Sequence, residues 1–447
     1  MAKPPSDAEL IARYDGRVPR YTSYPTAPHF SAAIGADAYG QWLGAIPAGA
    51  ALSLYLHVPF CDRLCLYCGC NTAVVRGEAP KRAYAGHLVE EINMVADRLG
   101  RRAHVTHVHW GGGTPTALPP DCLAGIMEHV RSRFAVAPDA EIAVELDPSR
   151  LDTPALEALA RMGINRASLG VQDFDARVQK AIGREQSFAE TADAARRLCQ
   201  IGVRSLNLDL IYGLPLQTED SVAHTARLAL RLGADRVAVF GYAHVPWMKK
   251  HQTLIQNEIL PDAAARFAQT GIIRRILEEE GGYEPVGLDH FALPDDSMAQ
   301  AARAGRLHRG FQGYTTDAAP VLIGLGASAI GTLPQGYVQN ESSAAAYNAA
   351  IAHGRFAVCR GVALNDDDRL RRCVIESIMC GGTLTIPPAL HDAARGLARF
   401  AGDGLVVWDG ETVTVTERGR PFVRNIAALF DRYLQQASAG PRHATAV

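Results

Sequence analysis

Residues 52–72, LSLYLHVPFCDRLCLYCGCNT, run from an apolar, β-rich stretch straight into three cysteines, Cys61, Cys65 and Cys68, spaced C-x3-C-x2-C. A run of this length and composition predicts a strand, and the cysteines crowd the loop that leaves its C-terminal end. Working outward, similar runs follow at 105–110 (VTHVHW), 141–146 (EIAVEL), 166–171 (RASLGV), 205–213 (SLNLDLIYG) and 235–242 (DRVAVFGY). Helical patterns near 82–98, 120–133, 154–162, 188–201 and 219–232 separate them. Six such strand–helix units with near-continuous apolar strands predict an α/β fold with a parallel sheet under helices. Chemistry-bearing residues sit just after successive strands, and these meet at one mouth only if the sheet curls. The expected architecture is therefore a partial (βα)6 barrel.

Around this core, residues 1–50 form an N-terminal arm containing the Arg- and Tyr-rich segment RYTSYPT at 20–26, and the barrel with its extensions occupies 51–363. Beyond 364 the pattern changes to an amphipathic helix near 366–380, a hairpin GLVVWDGETVTVT at 404–416 turning on Asp409-Gly410, and a last helix over 420–435. This predicts a small, mostly helical, winged-helix-like domain at 364–436, followed by a disordered tail at 437–447. The formal charge of −2 supplies no global field to draw the 447-residue chain onto nucleic acid or an anionic membrane. No apolar run is long enough to span a bilayer, and the start MAKPPSDAEL lacks a signal-peptide pattern, so the expectation is a cytoplasmic protein.

Nine cysteines, four of them crowded at 61, 65, 68 and 70, do not form a disulfide framework; such crowding reads as metal binding. Thiolates are the ligands of iron–sulfur clusters, and three of them around a cubane leave one iron open. A zinc knuckle is the alternative, although zinc prefers four closed ligands and no second C-x2-C or His pair follows. The fourth thiol, Cys70, would close the cluster if it were a ligand. Two residues beyond Cys68, it would point to the opposite side of an extended segment.

The second strand ends in HWGGGTPT, whose Gly111, Gly112 and Gly113 allow backbone to approach a ligand closely. Glu145 and Asp209 stand near the ends of the third and fifth strands, where a carboxylate can accept both hydroxyls of a ribose. Each could equally be a solvated strand-end acid or a helix cap. With Gln172 and Arg184, these two acids suit two nucleosides better than one.

The loop resembles the radical S-adenosylmethionine (SAM) superfamily, with Tyr67 as the aromatic before the last cysteine. RYTSYPT, YLHVPFCDRLCLYCGCNT, HWGGGTPT, LGVQDF, NLDLIYGLP, YAHVP, DHFA with PDD behind it, and HRGFQGYTT followed by GLGASAIG together resemble the oxygen-independent coproporphyrinogen III oxidases, in order and over almost the whole chain. The resemblance implies a radical SAM barrel holding one [4Fe–4S] cluster on Cys61, Cys65 and Cys68, with two SAM molecules. It gives the cluster-bound SAM to Tyr55, Gly112, Glu145 and Ile330, and the second to Tyr67, Gly113, Thr114, Gln172, Arg184, Asp209 and Ala243. Catalytic roles fall to Cys70, Tyr55 and Glu145. The implied reaction abstracts hydrogen from two propionate side chains of coproporphyrinogen III, releasing carbon dioxide and leaving vinyl groups. The implied partners are that substrate and an electron donor such as flavodoxin or ferredoxin, with no nucleic acid or membrane and a monomeric chain. Arg20, His308 and Arg309 are candidates to meet the substrate carboxylates. A haem-trafficking or haem-degrading relative, or a non-catalytic iron–sulfur module, is the competing reading.

Overall fold

The computed structural model describes residues 4–435, so the tail expected to be disordered lies outside the described residues. Six strands, β1 (Ala51–Val58), β2 (His104–Gly112), β3 (Ala135–Leu146), β4 (Arg166–Gln172), β5 (Ser205–Tyr212) and β6 (Arg236–Gly241), lie side by side in chain order and pair in parallel. The helices between them, Ala79–Leu99, Pro120–Arg133, Thr153–Met162, Phe188–Gln200 and Glu219–Arg231, match the sequence periodicity closely. Their starts are chemically marked. Asp152 accepts from the Ala155 N–H, and Ser187 and Glu190 cap each other's backbone N–H groups.

The stretch from 245 to 363 adds strands that its mixed composition did not announce. Those that join the sheet are β7 (Glu284–Val286), β8 (His290–Ala292), β9 (Val321–Leu325), β10 (Ile330–Leu333), β11 (Gly336–Asn340) and β12 (Val358–Ala363), while His308–Gly310 and Gly313–Thr315 pair as a separate hairpin. The complete order is β12-β11-β10-β9-β1-β2-β3-β4-β5-β6-β8-β7. β9 joins β1 in parallel and so gives the sheet a seventh parallel strand, while the outer strands are antiparallel. Among the described residues, β12 and β7 do not pair with each other, and the curled sheet stays open.

The two faces of the sheet differ. Leu54, Leu56, Val108, Trp110, Val144, Leu169, Leu208 and Val237 are buried in the principal core. The alternate residues carry polar groups: Ser53 and His107 meet Asp317, Arg166 meets Glu141 at 2.9 Å, and Ser168 donates to Asp209 at 2.9 Å. The near-continuous apolar runs of the sequence thus resolve into one apolar face and one polar lining, because successive side chains point to opposite faces.

The arm divides between two cores. Tyr39, Leu43 and Ile46 pack into the core of the barrel, whereas Leu10, Tyr14, Tyr21 and Tyr24 pack with Ile375, Ile378, Phe400, Phe422 and Phe430 of the C-terminal region. In that region a three-stranded sheet forms from Thr383–Thr385, Thr412–Val415 and Val406–Trp408. Its hairpin turns at Gly410 (φ +106°), where Asp409 Oδ1 accepts from the N–H groups of Glu411 and Thr412. The single helix expected over 420–435 is instead broken into short turns, Glu417–Phe422, Val423–Ala427, Ala428–Phe430 and Arg432–Gln435. Pro421 lies within the first, and Asp431 turns back to cap the last by accepting from Tyr433 and Leu434 N–H.

Candidate active site

A cavity of about 850 Å³ opens at the C-terminal ends of the parallel strands. The loop after β1 brings Cys61, Cys65, Cys68 and Cys70 to it, and the Gly112–Thr114 turn after β2 faces them. Glu145 near the end of β3, Gln172 at the end of β4, Arg184 beyond it, Asp209 on β5, Ala243 after β6, and Tyr67 complete the convergence expected from the sequence. Tyr55 and Ile330 do not line it. Tyr55 lies just beneath, its hydroxyl 3.0 Å from His57 Nδ1 and its ring stacked on His109. Ile330 packs beside Phe30, Tyr337 and Leu364, with its backbone so close over Gly324 that a Cβ there would meet it at 2.7 Å.

Every sulfur of the C-x3-C-x2-C loop faces a polar group. Thr72 Oγ1 donates to Cys61 Sγ at 3.1 Å, Arg184 Nη1 approaches Cys65 Sγ at 3.7 Å, and the Cys70 N–H donates to Cys68 Sγ at 3.4 Å. Burial pushes the Cys61 and Cys65 thiols up, whereas the neighbouring Cys70 thiol draws Cys68 down. The expected opposite orientation of Cys68 and Cys70 is therefore corrected: the chain bends at Cys70 and Asn71, and the two thiols lie together. Among the described residues, no three His, Cys, Asp or Glu side chains converge on a point suited to a single metal ion. Three thiols that share one loop without converging fit a cubane, in which each sulfur takes a different iron, and donors to sulfur tune such a cluster.

The glycine turn is shaped by what surrounds it. Gly112 has φ +113°, and a Cβ there would meet His57 at 2.7 Å; at Gly113 it would meet the Phe60 carbonyl oxygen at 2.5 Å. Beneath the turn, Glu145 Oε2 accepts from Gly112 N–H at 3.1 Å and Oε1 lies 3.0 Å from His109 Nε2. Some 38 % of its side chain opens to the cavity, yet the group is shut away from bulk solvent. Burial opposes ionisation of Glu145, but His109 and the Gly112 N–H outweigh it and hold the carboxyl below its ordinary value. Asp209 behaves in the opposite way. Burial and the charge of Glu145 push it up to about 6, against donors from Ser168 and Asn207. Two inward carboxylates thus sit in one cavity in different electrostatic states.

Of the three basic candidates for the substrate carboxylates, only Arg20 lines the cavity. Its Nη2 donates to the Gly241 carbonyl at 3.0 Å. Arg309 sits behind it, donating from Nε and Nη2 to the Arg20 carbonyl at 3.3 and 3.1 Å, over the face of Tyr314. His308 is paired with Glu376 at 3.3 Å. Sequence reasoning missed Arg424, which lines the cavity and donates to the carbonyls of Val18 and Pro19, and also Lys249, Arg63, Arg150 and Asp147 on the rim. Apart from Arg63, which stands within the cysteine motif, none of these lies in a motif; the chain folds them together from four separate segments. His109 was within reach, since its alternation with His107 and Gly111 places it on the same strand face.

A model of the radical SAM superfamily matches residues 55–229, the segment that carries β1 to β5. The match extends over nearly the whole chain to the oxygen-independent coproporphyrinogen III oxidase of Bradyrhizobium diazoefficiens, 50 % identical across 96 % of this chain and 97 % of that protein. The chain belongs to the oxygen-independent coproporphyrinogen III oxidase family. A second member of that name, from Paracoccus denitrificans, is 45 % identical over 97 % of this chain and 98 % of its own. The solved structure of coproporphyrinogen III oxidase from Escherichia coli, a radical SAM enzyme, is similar with a TM-score of 0.89 and 39 % identity, covering 97 % of this chain and all of that one. As a radical SAM enzyme of the coproporphyrinogen III oxidase family, the chain takes a [4Fe–4S] cluster bound by three cysteines, together with SAM.

Proposed function

We propose that this chain oxidatively decarboxylates two propionate side chains of coproporphyrinogen III to vinyl groups, giving protoporphyrinogen IX. The observation that carries the reading is the single cavity in which the three cluster thiols, the glycine turn, two differently poised carboxylates and the arm residue Arg20 meet. When bound, the cluster and SAM would supply the one-electron chemistry by which hydrogen leaves the β-carbon of each propionate. The chain's own residues bind, orient and seal.

In this reading Cys61, Cys65 and Cys68 would hold the cluster, and the glycine turn and Glu145 would receive the SAM bound to it. Tyr55 braces His109, which in turn orients Glu145, and Ile330 supports the neighbouring strand edge through Gly324. Tyr67, Gly113, Thr114, Gln172, Arg184, Asp209 and Ala243 receive a second SAM. Gln172 is held at φ +67°, a conformation that costs backbone energy in a non-glycine residue and is found most often where function demands it. Arg20 meets a substrate carboxylate, since it lines the cavity and its hydrogen bond goes to a neutral carbonyl, with Asp289 close enough to share its charge. Arm residues 18–28 wall one side of the cavity and so exclude water from the radical step. Cys70, beside Cys68 and open to the cavity, acts towards substrate and not as a fourth ligand. An electron donor and a monomeric chain complete the proposal.

The deciding experiment is anaerobic incubation of the reconstituted protein with SAM, reductant and coproporphyrinogen III. The expected product mass is lower than that of the substrate by two carbon dioxide molecules and four hydrogen atoms per porphyrinogen. Unchanged porphyrinogen alongside intact SAM cleavage would remove the substrate assignment.

A further inference from the structure

The cations that line the cavity are Arg20, Arg63, Arg150, Arg184, Lys249 and Arg424, and its carboxylates are Asp62, Glu145, Asp147 and Asp209. Two pairs cancel within the wall: Arg150 meets Asp62, and Arg184 meets Asp147 at 3.4 Å. Arg424 ties the arm through the Val18 and Pro19 carbonyls, and Arg63 reaches the Glu185 carbonyl at 3.3 Å. Lys249 is placed differently. Its Nζ donates to the Cys70 carbonyl at 2.8 Å, and among the described residues no carboxylate pairs with it. An ammonium has three donors, so two remain beyond that carbonyl. The segment that carries it is fixed. Gln252, fully buried, donates to the Tyr67 carbonyl at 2.8 Å and accepts from the Val245 N–H at 2.6 Å, while the Lys249 N–H donates to the Val245 carbonyl at 2.9 Å. Val245 and Met248, which also line the cavity, set apolar surface beside the charge.

We propose that Lys249 is a carboxylate anchor of the substrate cavity, holding one of the propionates that the reaction leaves in place. The inference rests on the reading of the substrate as coproporphyrinogen III, whose four propionates need more cations than Arg20 alone. A carboxylate taken out of water is stable only when paired, and a fixed ammonium with two unused donors beside apolar surface suits the acid arm of a largely apolar ring. The choice among the propionates follows from charge. A reacting carboxylate leaves as neutral carbon dioxide, so a cation bound to it holds the ground state more tightly than the transition state and slows the step. A retained carboxylate keeps its charge throughout, and binding it fixes the ring without opposing the chemistry. Because the same ammonium is tied to Cys70, two residues beyond the proposed cluster ligand Cys68, the anchored ring is set in register with the cysteine loop.

The test is anaerobic equilibrium dialysis of the reconstituted full chain, without SAM, against two porphyrinogens. Coproporphyrinogen III carries all four propionates, and deuteroporphyrinogen IX carries only the two that the reaction leaves. Lys249→Gln should bind both about tenfold more weakly than the parent, the size of one lost charge-assisted contact. Lys249→Arg, which restores the charge, should recover most of the affinity for each. In turnover the loss should appear in KM and not in kcat, as expected of a contact made equally before and during the reaction. Iron content and visible absorbance should match the parent, because His251 and Gln252 still hold the loop at Cys68 and Tyr67. Parental affinity of the Gln variant for coproporphyrinogen III would overturn the anchor, and so would a loss of affinity that accompanies loss of iron in both variants. A loss confined to coproporphyrinogen III would place Lys249 on a reacting propionate and overturn its assignment to a retained one. A parent chain that binds neither porphyrinogen would instead overturn the substrate reading on which the anchor depends.

Discussion

A β-carbon placed on Gly111 would lie 2.8 Å from the carboxylate of Glu145, the same carboxylate that accepts the neighbouring Gly112 N–H. Glycine here is a condition of the acid's position and not of chain reversal, since Gly111 itself has no left-handed φ. Gly111→Ala should displace Glu145 from both His109 and Gly112, at about 1 to 3 kcal/mol for an overpacked site. Iron and sulfide content should remain at parental levels while SAM affinity falls. Equilibrium binding of SAM to the reconstituted variant checks this, and an unchanged affinity would separate Glu145 from SAM recognition.

The pair Cys65 and Cys70 offers a contrast within one loop. Cys65→Ser should abolish the brown absorbance of the cluster and all SAM cleavage, because two thiolates do not secure a cubane that uses three. Cys70→Ser should keep iron, sulfide and the reduced-cluster spin-resonance signal while decarboxylation drops sharply. Serine is nearly isosteric but differs in acidity and redox chemistry, so the loss would be chemical. Iron analysis beside product mass distinguishes the two; loss of iron in the Cys70 variant would make that thiol a ligand.

Asp209 carries a pH dependence whose sign follows from its environment. Its folded pKa, about 6, lies above the ordinary carboxylate value of 3.8. The folded protein therefore binds this proton more tightly than the unfolded chain does, and the group's contribution to stability is lost as pH rises from about 4 through 6. A ribose hydroxyl, by contrast, is held best by the ionised form. Binding of the proposed second SAM should thus weaken as pH falls through about 6, and Asp209→Asn should bind it weakly with no such dependence while melting higher than the parent above pH 6. Isothermal titration and thermal unfolding at pH 5.5 and 7.5 read both effects.

Arg309 holds the arm by the carbonyl of the residue whose side chain enters the cavity. Arg309→Ala removes two charged hydrogen bonds to that carbonyl, worth about 1.5 to 3 kcal/mol each, and frees residues 18–28 to leave the wall. Cluster assembly should survive and product formation should fall, with faster limited proteolysis of the arm. Lysine at this position should restore little, because it lacks the planar fork that reaches one carbonyl with two donors. Unchanged cleavage kinetics would show that the arm is held by other contacts.

The six strand–helix units, the cysteine loop, the glycine turn and the acids at strand ends were all legible in the sequence because each is a local pattern. Apolar alternation, capping residues and short spacings act over a few residues, and the order of units along the chain is also their order in the sheet. Local pattern could not reveal β9, which enters beside β1 from more than 260 residues later and is recognised by register, not by composition. Nor could it show that Arg309 points away from the cavity while Arg20 enters it, or that Arg424 lines it at all. A lone arginine has the same chemistry wherever it stands, and only packing decides whether its guanidinium faces a carbonyl or a ligand. The same holds for Cys70, where a bend of the backbone set its thiol against Cys68 in place of the alternation an extended strand would impose. Sequence alone therefore determined which groups the chemistry needs, and the tertiary structure decided which of them share one cavity, because proximity between distant segments is a property of the folded chain.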